Sequence, residues 1–112
     1  MKGYKNDLFI NLEKQFHHND EIEVAFIFGS YVRGQEKKSS DLDIFLVSDK
    51  NKKINKSFEA MYNVKSSVIY SEKQEFISMI KDRKKIIFDL YIEGIVLKGN
   101  IYRILAENYS EW

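Results

Sequence analysis

Neither cysteine nor proline occurs in the 112-residue chain, and histidine occurs only twice. The lack of cysteine excludes disulfides and any cysteine-based metal or redox centre. An excess of one charge is missing as well. Eighteen Lys and Arg stand against 17 Asp and Glu, a formal net charge of +1, so composition supplies no field that would draw a nucleic acid. No apolar run approaches the roughly 20 residues that span a bilayer. The opening Met1-Lys2-Gly3-Tyr4-Lys5 lacks the apolar core of a signal peptide. A cytoplasmic location with no membrane partner is the resulting expectation. Repeats and low-complexity linkers are also absent, so residues 1–112 read as one domain. What is present, 44% hydrophobic and 31% charged residues, belongs to an ordinary globular protein with one modest core.

Hydrophobic periodicity supplies the elements. Asn6 or Asp7 is placed to cap a first helix reaching about His18, with Leu8, Leu12 and Phe16 at four-residue spacing on its core face. His17-His18 read as the solvated end of that helix rather than as a metal pair, since no further ligands stand near them. Ile22 to Phe28 reads as a strand, apolar on both faces from Val24 onward, as in the middle of a covered sheet. Asp41 to Val47 is a second strand and Val64 to Tyr70 a third. Between them, Asp49 to Lys56 is a basic loop that leads through a short helix at Phe58; its lysines are either solvated or in contact with phosphates. Ser71-Glu72-Lys73-Gln74 matches a capping box, opening a helix with Phe76, Ile77 and Ile80 inward. A further helix, Lys85 to Glu93, carries Ile86, Ile87, Leu90 and Tyr91 to the core and closes at Gly94. Ile95-Val96-Leu97 is a short fourth strand, and Gly99-Asn100 turns into a last helix holding Ile101, Ile104 and Leu105. Tyr102, Tyr109 and Trp112 either pack or form a self-association surface, which leaves a homodimer open. Strands interleaved with helices in this way predict an α/β (α+β) domain.

The functional content lies in Phe28 to Val47. The first strand ends at Gly29-Ser30. Glycine allows close approach of backbone to a ligand, Ser30 adds a hydroxyl, and a short helical turn stopped by Gly34 follows. A plain turn with a serine cap is the simpler reading of these two residues taken alone. Arg33 is placed either to meet a phosphate or to pair with a carboxylate. Ser39 and Ser40 are placed to bind the backbone that leads into Asp41. Asp41 and Asp43 then open the second strand. Residues two apart on a strand project from one face, so the two carboxylates stand together while Leu42, Ile44 and Leu46 take the other. Two carboxylates on one face repel unless a cation lies between them. Hard oxygen ligands of this number suit Mg²⁺, which completes its shell with water and substrate phosphate.

Gly29-Ser30, ten intervening residues, and Asp41-x-Asp43 between two strands resemble the signature of the DNA polymerase β-like nucleotidyltransferase superfamily, and in this short chain its minimal branch. The resemblance runs from about Glu21 to Gly99. It implies a small mixed sheet of about four strands with helices packed against it. It also implies transfer of a nucleoside monophosphate from an NTP, ATP foremost, to an acceptor hydroxyl. Asp41 and Asp43 would be the catalytic metal ligands, and Gly29, Ser30 and Arg33 the phosphate contacts. In that branch the gene is often paired with a small helical HEPN-type partner, to which an antitoxin adds nucleotides; a nucleic-acid acceptor also stays open.

One part of the family pattern is missing. Members that transfer a nucleotide usually carry a third acid on the next core strand, in the minimal branch within a stretch like Val-Asp-Leu-Val. The corresponding stretch is Ser66-Ser67-Val68-Ile69, which puts Ser67 at the acid's position, and no Asp or Glu occurs from Ala60 to Ser71. Such an acid helps to hold a second metal and accepts the nucleophile's proton. Glu72, or an acid from a partner chain, is the available substitute. Two functions therefore stand: an enzyme, or a nucleotide- and metal-binding module of the same fold that acts through a partner.

Overall fold

A computed structural model describes residues 3–49, 53–99, 103 and 106. The expected last helix, apart from Arg103 and Ala106, and the aromatic residues Tyr102, Tyr109 and Trp112 lie outside the described residues. The chain forms helix α1 (Gly3–His17), strand β1 (Val24–Phe28), helix α2 (Ser30–Arg33), strand β2 (Asp41–Val47), helix α3 (Ser57–Tyr62), strand β3 (Lys65–Ser71), helices α4 (Lys73–Lys81) and α5 (Lys85–Glu93), and strand β4 (Ile95–Lys98). The sheet order is β3-β2-β1-β4. It is mixed, as expected: β1 runs antiparallel to β2 and β4, whereas β2 and β3 are parallel. Among the described residues, no helix is long and apolar enough to cross a membrane.

Alternation along β2 splits the core into two layers. Leu42, Ile44 and Leu46 face one side, where they meet Ala25 and Ile27 of β1, the Leu8-Leu12-Phe16 stripe of α1, and Phe58 of α3. Phe45 and Val47 face the other side with Val24 and Phe26, under Phe76 and Ile80 of α4 and Leu90 of α5. Both layers are dry, which is why the central strands read as apolar on both faces. The second layer is aromatic. The rings of Phe26, Phe45 and Phe76 lie 5.7–6.4 Å apart between centroids, in edge and tilted arrangements favoured by ring quadrupoles.

Several local expectations are corrected. Helix α1 begins at Gly3, so Asn6 and Asp7 lie inside it and cap nothing. Strand β1 begins at Val24 instead of Ile22, because the Ile22 N–H turns back to the Asn19 carbonyl at 3.1 Å. The capping box does not form. The ladder with β2 extends through Val47 opposite Ser71, so β3 runs from Lys65 through Ser71. The Ser71 hydroxyl donates to the Glu72 carbonyl, and the cap of α4 falls on Glu72. The acceptor for the Lys73 N–H is instead the carboxylate of Asp49, 3.0 Å away in the loop after β2. Tyr91, expected in the core, is 74% exposed.

The start of β3 is fixed by a carboxylate. Glu59 Oε2 accepts from the Ser66 N–H at 2.7 Å and from the Ser66 hydroxyl at 2.8 Å. The Ser66 hydroxyl, more than any other cause, holds the Glu59 carboxyl below its ordinary pKa. That anchor sets the residue before Ser67, and with it the strand edge that faces the site.

Candidate active site

The end of β1 and the start of β2 lie side by side, with Phe28 opposite Asp43. At Gly29 the chain leaves the strand with φ 83° and ψ −159°, backbone that glycine alone adopts readily. The Val32 and Arg33 amides return to the Gly29 carbonyl at 3.1 Å and make the single turn of α2. Gly34 closes that turn in the left-handed region at φ 72°, as its place after Arg33 predicted. A Cβ on Gly29 would overlap carboxylate oxygen Oδ2 of Asp43. The missing side chain therefore lets the turn rest directly on Asp43.

The approach to β2 is a tight turn. The Ser40 hydroxyl accepts from the Lys37 N–H at 2.8 Å, and the Ser40 N–H donates to the Lys37 carbonyl at 2.9 Å. Asp41 then stands exposed and Asp43 half-buried on the same face of β2, the face that continues into Phe45 and Val47. Burial, and next the charge of Asp41, push the Asp43 carboxyl above its ordinary pKa, while the Arg33 guanidinium opposes them. The pair is thus short of positive charge. That is the electrostatic setting in which a divalent cation bound by two carboxylates and substrate oxygens lowers the energy, and Mg²⁺ fits this donor set.

Strand β3 brings Lys65 alongside Asp41 and Ser67 alongside Asp43. Parallel neighbours in register share a face, so Ser67 lies beside Asp43 on the face that bears the two carboxylates. Glu72 does not substitute. It follows the opposite end of β3, five residues beyond Ser67 and so roughly 16 Å along the strand direction. Among the described residues, no group of three or more His, Cys, Asp or Glu side chains is placed to hold a metal ion. Beyond Lys65 opens a cleft of about 730 Å³ whose walls include Tyr31, Lys37, Lys38, Tyr62 and Asn63.

One residue of the site was not anticipated. Glu93, the last residue of α5, lays its carboxylate over the Gly29 turn. Oε1 accepts from the Gly29 N–H at 3.1 Å, and Arg33 Nη1 donates to both oxygens, at 3.0 and 2.8 Å. Of the two roles open to Arg33, the structure displays the carboxylate pair. The available sequence signal was indirect: a carboxylate in the last turn of a helix opposes the helix dipole and calls for a partner elsewhere.

Comparison with known proteins identifies the family. The sequence pattern of the family "Polymerase beta, Nucleotidyltransferase" matches residues 11–101. Among curated proteins, none matches the chain in sequence. Among solved structures, a mutant of the toxin–antitoxin MntA–HpeT is similar over 90% of this chain and 80% of that one, with 14% identity and a TM-score of 0.50. A toxin–antitoxin with AMP-PNP covers 93% and 81% at 14% identity and a TM-score of 0.49. A tri-AMPylated HEPN toxin in complex with MNT antitoxin from Shewanella oneidensis covers 96% and 85% at 12% identity and a TM-score of 0.49. At such identities the likeness to MntA–HpeT is one of fold. The family match spans the turn at Gly29, both strands that frame it and the Asp41-x-Asp43 pair, and on that ground the chain belongs to the polymerase β nucleotidyltransferase family.

Proposed function

We infer that the protein is a minimal nucleotidyltransferase, one domain over residues 1–112 with 28–47 as its working part, acting in the cytoplasm. The observation that carries the reading is the seating of the Gly29 turn directly on Asp43, with Asp41 on the same strand face. Asp41 and Asp43 hold Mg²⁺ with the triphosphate of ATP. The Gly29 backbone, the Ser30 hydroxyl and Arg33 take the β- and γ-phosphates. When bound, the metal neutralises phosphate charge and screens the two carboxylates from one another. An acceptor hydroxyl attacks the α-phosphorus. The new P–O bond forms as the bond to the β-phosphate breaks; pyrophosphate leaves with the electron pair, and the hydroxyl proton passes to water. The acceptor belongs to a HEPN-type partner, as the resemblance to the minimal branch implies.

Ser67 favours a second reading, in which the site binds Mg-nucleotide and signals through a partner with little turnover. Calorimetric titration with MgATP and the other NTPs tests both: no Mg²⁺-dependent binding would remove the two together. Labelled NTP incubated with the chain and its gene-neighbour product separates them, since label on protein or RNA requires transfer. In the enzyme reading, Ser67→Asp raises the transfer rate, on the order of 10²-fold, by supplying the missing base. An unchanged rate in a folded Ser67→Asp protein would show that the carboxylate is not what limits the chemistry.

A further inference from the structure

The anion site of the Gly29 turn already holds an anion. The Gly29 amide is buried and must have an acceptor. Glu93 provides it while also engaging Arg33, so one carboxylate satisfies both the backbone and the guanidinium donor. An Arg–carboxylate pair is geometrically close to an Arg–phosphate pair, which makes Glu93 a stand-in for a phosphoryl oxygen pair. The contact is a poor structural device. Arg33 is 45% exposed, and an ion pair so open to water adds little stability. Its location next to Asp43 is what gives it meaning.

We propose that Glu93 is a built-in occupant of the triphosphate subsite, a carboxylate latch that an incoming nucleotide must displace from the Gly29 N–H and Arg33. The proposal rests on the nucleotidyltransferase reading for the identity of the incoming anion. Displacement requires only rotation of the Glu93 side chain at the end of α5, with the backbone of Gly94 extended behind it. A triphosphate carries more charge than one carboxylate and wins the exchange when the metal is present. The exchange run backwards returns Glu93 to its donors and helps pyrophosphate leave.

The latch lowers apparent affinity by the fraction of molecules in which it is open. Calorimetry on full-length wild type, Glu93→Gln and Glu93→Ala, with MgATP and with inorganic triphosphate as separate probes, reads that fraction. Both variants are expected to bind each probe roughly tenfold more tightly than wild type, for a latch closed about ten times as often as open. Glu93→Gln keeps the side-chain volume and guards against a folding defect, checked by circular dichroism. Equal or weaker MgATP binding in both folded variants overturns the latch and leaves the transferase reading standing. Tighter binding of triphosphate alone, with no MgNTP bound by any protein, upholds the latch and removes the transferase reading. No binding of either probe by any of the three removes both.

Discussion

Gly29→Ala is expected to destabilise the fold by about 2–4 kcal/mol and to abolish nucleotide binding. Two independent penalties add. The backbone at φ 83°, ψ −159° lies where residues other than glycine carry strain of order 1–3 kcal/mol. The new methyl group would also overlap Oδ2 of Asp43, so either the turn lifts from the strand or the carboxylate swings out of the site. Denaturant unfolding measures the first consequence and calorimetry with MgATP the second. A double-mutant cycle with Asp43→Ala apportions them, because removing the carboxylate relieves the overlap and leaves the backbone strain in place. A Gly29→Ala protein within 0.5 kcal/mol of wild type, on the scale of an ordinary surface change, would mean that the turn does not rest on Asp43.

Asp43→Asn is expected to separate stability from function. The variant loses one of the two proposed metal ligands, and its Mg²⁺-dependent nucleotide affinity is expected to fall by at least about 10–100-fold, the range known for lesser disturbances of metal sites. Its metal-free fold should nevertheless be more stable than wild type near neutral pH. The Asp43 carboxyl titrates above its ordinary value of 3.8 in the folded protein. The native state therefore holds that proton more tightly than the unfolded chain does, and wild type loses stability as pH rises through the raised value. Asparagine carries no charge to lose, so the stability gap is absent below pH 3.8, where aspartic acid is protonated in both states, opens as pH rises from there through the raised value, and is complete above it. Adding Mg²⁺ with ATP, at concentrations that saturate wild type but not the variant, reverses the order, because wild type gains more from binding. Thermal melts at acidic and neutral pH, with and without MgATP, provide all four corners. A wild type more stable than Asp43→Asn at neutral pH without metal would show that no uncompensated charge is stored at the site.

What was legible in the sequence follows from how local each signal is. The D-L-D-I-F-L-V alternation defined β2 to the residue, Arg33-Gly34 defined the end of α2, and Lys85 to Glu93 coincides with α5. The four-stranded mixed sheet follows from the family resemblance that these motifs carry. The Asp41–Asp43 face follows from alternation alone, whereas Ser67 was placed by the family resemblance, and the register of β3 against β2 sets it beside Asp43. Contacts between distant segments were not legible. Glu93 meets Gly29 across 64 positions of chain, and no periodicity encodes such a meeting. The Lys73 amide finds its acceptor on Asp49, 24 residues earlier, so a nearby serine with good capping credentials is outcompeted by tertiary structure. Tyr91 failed for another reason. An aromatic residue beside Leu90 looks apolar in a helical pattern, yet its position on α5 turns it away from the sheet.

The face of β2 that bears the aspartates also has a kinetic side. Asp41 is exposed, Asp43 half-buried, and Phe45 and Val47 dry, so one face passes from water to oil in steps of about 7 Å. Coulomb attraction strengthens as the surrounding medium becomes less polarisable. A cation bound as proposed would meet Asp41 first, through water and under ionic screening, and would then be held at Asp43, which is less open to water and so less screened. On that reading, capture and retention would be divided between two residues of identical chemistry. The first would set how often the metal arrives and would answer to salt; the second would set how long it stays.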